Sequence, residues 1–112
     1  MFKGTFDGFG HKITYKSSQY GIFGGIQDAT IKNLKIIDTA STCGITLYKS
    51  LLCLDIMSSQ VENVIFEATG VASGLGSVNT SLSITAQGYG WVSCRITQDS
   101  SFVNCVLSSD FR

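Results

Sequence analysis

The stretch that decides the fold is Ile31-Lys32-Asn33-Leu34-Lys35-Ile36, because the same pattern recurs twice further along the chain. The two later copies read Val61-Glu62-Asn63-Val64-Ile65-Phe66 and Phe102-Val103-Asn104-Cys105-Val106-Leu107. The interval from Asn63 to Asn104 is longer than the interval from Asn33 to Asn63. Both lie within the period of roughly 20–50 residues that is typical of repeat architectures, in which each copy is one unit stacked on the last.

The residues within each copy are typical of strands rather than helices. Inward apolar residues such as Ile31 alternate with outward polar ones such as Lys32, whereas a helical repeat would show a 3.6-residue period. Short strands that recur at a long period predict an all-β fold of the parallel β-solenoid type.

The alternation is interrupted at Asn33, Asn63 and Asn104, where the inward step is three residues instead of two. A strand has a side-chain period of two, so the chain must bend there to keep its apolar face inward. Asparagine tolerates left-handed backbone angles, and stacked amides form hydrogen bonds along a ladder. The three asparagines are therefore predicted to stack as one structural corner.

Composition bounds the class of protein. The chain has 112 residues, 44% hydrophobic and 14% charged, with a formal net charge of +0. This is enough apolar sequence for one folded domain over 1–112 and argues against disorder. A balanced charge argues against a nucleic-acid partner, and no apolar run has the length of a membrane span or a signal peptide.

Two motifs resemble a known family. Residues 2–13 read FKGTFDGFGHKI and look like the opening of pectin-lyase-like right-handed β-helix domains. Residues 20–24 (YGIFG) and 29–34 (ATIKNL) look like the repeat of GLUG-type bacterial surface or adhesin-like proteins, with similar modules in phage proteins. The resemblance implies a right-handed parallel β-helix of about three to four coils and a cell-surface, extracellular or virion setting. It implies no chemistry.

Catalytic candidates are few. Enzymes on this fold use clustered carboxylates, and Asp28 and Asp99 share a repeat position in the first and third copies. Each follows a Gln in a turn-like segment, so a structural role is favoured. His11, the single histidine, is assigned to a tight turn, and no spacing of His or Cys matches a metal site, so no cofactor is expected.

The cysteines and the outward charges are given structural roles. Cys53, Cys94 and Cys105 occupy apolar repeat positions and are predicted to be free thiols, with a Cys53–Cys94 disulfide as the alternative. Cys43 is placed in a turn. Lys32 and Glu62 share one outward position and are expected to form a weak cross-strand pair.

A binding role is considered for Tyr89 and Trp91, which lie in the insertion by which the second interval exceeds the first. Aromatic side chains on an inserted loop stack on sugar rings or anchor a partner, so carbohydrate is a candidate ligand.

These observations favour a non-enzymatic structural or binding module of a surface, adhesin-like or phage-particle protein. The alternative is a fragment of a carbohydrate-active enzyme, a lyase or glycoside hydrolase on the same scaffold. Because a short solenoid has unpaired strands at both ends, we expect self-association or continuation into neighbouring coils of a longer solenoid.

The corner hypothesis makes a prediction about stability. Asn63→Ala should cost more than Asn33→Ala, because Asn63 is the middle copy and has an asparagine on either side. The cost of an unpartnered buried amide is about 1–3 kcal/mol, measured as a loss in free energy of unfolding.

Overall fold

The computed structural model describes residues 1–43, 50–72, 92–97 and 99–108. This part of the chain is all-β. The strands are β1 (Phe2–Asp7), β2 (Lys12–Tyr15), β3 (Gly25–Asp38), β4 (Thr42–Cys43), β5 (Cys53–Met57), β6 (Gln60–Ala68), β7 (Val71–Ala72), β8 (Ser93–Ile96), β9 (Ser101–Val103) and β10 (Val106–Ser108). The all-β prediction is confirmed.

The strands pair in parallel and fall into four rungs, a rung being the strands at one position in the sheet order. Rung 1 contains β1 and β2, rung 2 contains β3, rung 3 contains β5 and β6, and rung 4 contains β8, β9 and β10. Among the described residues the sheet runs from rung 1 to rung 4 and does not close on itself. The short strands β4 and β7 form a second parallel pair.

The register follows the sequence repeat. Ile31 pairs with Val61, which pairs with Phe102, and Ile36 pairs with Phe66, which pairs with Leu107. Equivalent positions therefore stack on one another across rungs 2 to 4. Rung 1 joins the same stack without belonging to the sequence repeat, because Phe6 pairs with Ile31 and Ile13 with Ile36.

The register shifts by one residue within the third copy. Ile56 pairs with Ile96 and Val61 pairs with Phe102, so the separation between partners grows by one from β5 and β8 to β6 and β9. Cys53 is consequently opposite Ser93 and not Cys94. The predicted equivalence of Cys53 and Cys94 is wrong, and with it the geometric basis for a disulfide between stacked cysteines.

The core is built from the stacked inward positions. The buried apolar residues described in rungs 2 to 4 are Ile26, Ala29, Ile31, Leu34, Ile36, Cys53, Ile56, Val61, Val64, Phe66, Ile96 and Phe102. Burial of such side chains contributes about 1.5–3 kcal/mol each relative to exposure, which makes this column the main source of stability. The turn that follows β1 in rung 1 passes close to this core, because a Cβ on Gly8 would lie 2.5 Å from the Cβ of Leu34.

The neighbouring residues Phe66 and Ile65 test this assignment of faces. Phe66 has no exposed surface, while Ile65 points outward and is 41% exposed. Phe66→Ala should lower the free energy of unfolding by about 3–5 kcal/mol, because it leaves a cavity in the stacked core. Ile65→Ala is the matched control and should cost less than about 1 kcal/mol. Denaturant unfolding measures both, and equal losses would contradict the register.

Candidate functional site

The three asparagines lie at a bend with left-handed backbone angles. The φ values are 60° at Asn33, 51° at Asn63 and 53° at Asn104. Such angles are uncommon for residues other than glycine, and asparagine is among those that adopt them most readily. In rungs 2 and 3 the left-handed residue lies within a continuous strand, and the pairs on either side of it have the same register, so the chain turns there without a register shift.

Side chains at this bend form a ladder that begins in rung 1. Asn63 Nδ2 donates to Asn33 Oδ1 at 3.2 Å, and Asn33 Nδ2 donates to Asp7 Oδ1, also at 3.2 Å. Asp7 Oδ1 additionally accepts the backbone N–H of Phe9 at 2.9 Å. The Phe9 amide, with help from Asn33 and the nearby charge of Lys32, holds the pKa of Asp7 below its ordinary value. The repeat pattern, which begins at rung 2, did not predict Asp7 as a member of this ladder.

A second bend precedes the asparagine bend in rungs 2 and 3, and hydroxyl groups and carboxylates from rungs 2 to 4 surround it. Asp28 and Ser58 have φ values of 52° and 49° at equivalent positions in rungs 2 and 3. Asp99 in rung 4 accepts hydrogen bonds from the Ser58 hydroxyl and from Thr97 Oγ1, the latter at 2.6 Å. Its Oδ1 also lies 3.2 Å from the donating N–H of Ser58.

Beside this bend, two buried serines connect the rungs. Ser59 Oγ accepts the backbone N–H of Ala29 at 3.1 Å, and Ser100 Oγ accepts the backbone N–H of Ser59 at 3.2 Å. Each hydroxyl thus satisfies a buried amide of the preceding rung that the bend would otherwise leave unpaired. Repeating the same bond at each step stabilises the turn in register.

The chemistry of Asp99 follows from these donors. The Ser58 hydroxyl and then the Thr97 hydroxyl lower the pKa of Asp99 by stabilising its charged form. A general acid requires the opposite shift, which keeps a proton on the carboxyl near neutral pH. Asp99 is therefore set up as an ionised acceptor at a bend. Asp28 lies at the corresponding bend, which in rung 2 falls within β3.

The remaining candidates are dispersed. His11 is exposed and directly precedes β2, and its backbone N–H donates to the backbone carbonyl of Gly8. Cys53 is buried, and Cys105 is a half-buried free thiol whose pKa is raised by burial. Cys43, expected in a turn, lies in strand β4.

The outward charges also differ in detail from expectation. Lys32 and Glu62 occupy paired positions, as the repeat predicts. On the other side of the asparagine bend, an ion pair joins Lys35 Nζ to Glu67 Oε2 at 3.0 Å, a diagonal contact between β3 and β6. Tyr89 and Trp91, the predicted binding residues, lie outside the described residues, so their binding role stays a prediction.

A buried carboxylate that the sequence analysis did not single out closes β3. Asp38 has no exposed surface, and its Oδ1 accepts the backbone N–H groups of Ser17 at 3.0 Å and Ala40 at 2.9 Å. It ties the segment after β2 to the end of rung 2. The only available signal was a single acid after the pair of isoleucines at 36–37, and many surface strands end in the same way.

Comparisons with known proteins add no identity to this geometry. No family model, curated protein or solved structure matches the chain. Within the described residues, no three or more His, Cys, Asp or Glu side chains group as metal ligands would. The same part of the chain contains no helix with the length and apolar character of a membrane-crossing segment.

The asparagine ladder yields a revised stability prediction. Asn33 bonds to both Asp7 and Asn63, so it occupies the middle position that the sequence analysis gave to Asn63. Asn33→Gly should lower the midpoint of thermal unfolding more than Asn63→Gly, because it removes two hydrogen bonds rather than one. Glycine keeps the left-handed angle in both variants, so the difference reports the amide. A larger effect at Asn63 would contradict the ladder.

The bend at Asp99 yields a pH prediction. A folded pKa below the unfolded value, about 3.9 for Asp, stabilises the protein above that pH, and the contribution is lost as pH falls through the folded pKa. Asp99→Asn should therefore be less stable than wild type at neutral pH, with the difference shrinking below about pH 4. Thermal unfolding across pH measures this. Asp28→Asn changes the same charge without removing the Ser58–Asp99 bond, and a matching pH profile there would refute the assignment.

Proposed function

We propose that the chain is a right-handed parallel β-helix that acts as a non-enzymatic structural or binding module. The observation that carries this proposal is the in-register stacking of four rungs, with bends at the same positions in successive rungs. A chain that returns repeatedly to pair in parallel with its own preceding segment winds as a coil. Parallel crossovers are overwhelmingly right-handed, which supports the hand.

The use of the polar side chains supports a structural role. At both bends, carboxylates and hydroxyls accept or donate bonds that satisfy backbone groups or link one rung to the next. The ionised state of Asp99 suits this work and is the wrong state for a general acid. What the fold offers a partner is therefore its surface and its ends. The setting proposed is a cell-surface, adhesin-like or phage-particle protein, with carbohydrate as one possible ligand.

A polysaccharide panel tests the proposal against the enzyme alternative. The protein is incubated with uronic-acid and neutral polymers, and released reducing ends or unsaturated products are measured. We expect no release of these products above the buffer control. We expect polymer binding in pull-down experiments or self-association in sedimentation experiments. Release that Asp28→Ala or Asp99→Ala abolishes would overturn the non-enzymatic assignment. A protein that neither associates nor binds any polymer would contradict the module.

A further inference from the structure

The two ends of the stack differ in how well their core is covered. In rung 1 the inward residues Phe2, Phe6 and Ile13 are only half-buried, although their partners in rung 2 have no exposed surface. In rung 4, Ile96 is 2% exposed, Phe102 is 7% exposed and Cys105 is half-buried. Among the described inward side chains, those of rung 1 are therefore the less well covered, and β1 and β2 each pair only with β3.

The bend of rung 1 carries an exposed aromatic residue. Phe9 has a left-handed φ of 52° and is 80% exposed. The bends of rungs 2 to 4 have asparagine with the same kind of angle. A large aromatic side chain is uncommon at this backbone angle. Together with the half-buried Phe2, Phe6 and Ile13, it adds to the apolar surface of rung 1.

Three successive residue pairs flanking this bend are complementary when the two arms are read in opposite directions. Counting outward from the bond between Phe9 and Gly10, Asp7 matches Lys12 and Phe6 matches Ile13. One step further, Thr5 matches Thr14. Phe6 and Ile13 are both half-buried, and both threonines are exposed, while Asp7 is half-buried and Lys12 is exposed.

We propose that a second copy of this chain docks on rung 1 around a two-fold axis at the Phe9–Gly10 bend. Strand β1 of each copy then pairs antiparallel with β2 of the other. Opposite residues in such a pair have their side chains on one face, which places opposite charges, apolar residues and threonines together, each contact occurring twice. Both described hydrogen bonds to Asp7 use Oδ1, which leaves Oδ2 for Lys12 of the second copy.

Head-to-tail stacking is the competing arrangement, and the register disfavours it. Continuing the parallel sheet would place Asp7 over Val103 and Lys12 over Val106, because those residues end the same outward columns. Both charges would then face apolar side chains. The two-fold arrangement instead pairs the charges and covers rung 1 of both copies in one contact, so the assembly closes as a dimer rather than growing as a filament.

This inference rests on the proposed function, since it names the partner of an assembly module. Sedimentation velocity over a wide range of concentration should show a monomer–dimer equilibrium. Lys12→Glu should raise the dimer dissociation constant by about tenfold or more, because it places two carboxylates together at two equivalent contacts. Its fold should persist, because position 12 pairs with Lys35 in the same chain.

Two further variants separate docking from folding. Phe9→Asn installs the residue type of the other bends, so the monomer should be as stable as wild type or more so while dimerisation weakens. Val106→Thr changes an exposed apolar residue on rung 4 and should leave the dimer unchanged. A dimer that is lost with Val106→Thr but kept with Phe9→Asn would refute the proposed surface.

Zero-length carbodiimide cross-linking of a mixture of ¹⁵N-labelled and unlabelled protein identifies the geometry directly. A mixed-isotope amide between Lys12 and Asp7 is expected. Mixed links from rung 1 lysines to Glu62, Glu67 or Asp99, or larger oligomers, would overturn the two-fold dimer while leaving an assembly role intact. A monomer at every concentration would contradict the dimer; the proposed function would then fail only if polymer binding were absent as well.

Discussion

The constraint on which the structure depends is that each rung must bend at the same position as its neighbours while keeping its register with them. A parallel sheet tolerates a bend only if all adjacent strands make it together, since otherwise the register is lost. Left-handed residues at two positions, represented in rung 2 by Asp28 and Asn33, satisfy this condition. Core packing follows from it, because the bends keep Ile26, Ile31 and Leu34 pointing inward along one chain.

The bends also explain where the polar side chains of the fold are used. Turning a strand leaves backbone amides without strand partners, and here hydroxyl and carboxylate oxygens accept them. Ser59 and Ser100 do so inside the second bend, while Asp7 does so at the open end of the asparagine ladder. The same requirement lowers the pKa values of Asp7 and Asp99, because their charged forms are the better acceptors. The lowered pKa values of these two aspartates therefore reflect hydrogen bonding at the bends.

Repetition gives each interior rung of the described stack a neighbour on both sides, whereas a terminal rung has one neighbour. Interior rungs bury their inward residues on both sides, whereas rung 1 covers Phe6 and Ile13 on one side only. Exposed strand edges invite pairing, and natural proteins cover them or use them. The opposite charges of Asp7 and Lys12 in rung 1, together with the exposed Phe9 between them, are the features on which the proposed dimer contact rests.

By itself the sequence determined the strand type, the parallel stacking of the copies and the positions of Asn33, Asn63 and Asn104, because alternation and repeat spacing are local properties read along the chain. Only the tertiary structure decided which side chains bond across rungs. It placed Asp7 at the head of the asparagine ladder and set Cys53 opposite Ser93 through a one-residue shift. Such contacts depend on register between segments that are distant in sequence, where one residue more or less in a turn changes every partner beyond it. The burial of Asp38 could likewise not be predicted from the sequence, because the backbone N–H groups of Ser17 and Ala40 reach its carboxylate only after folding.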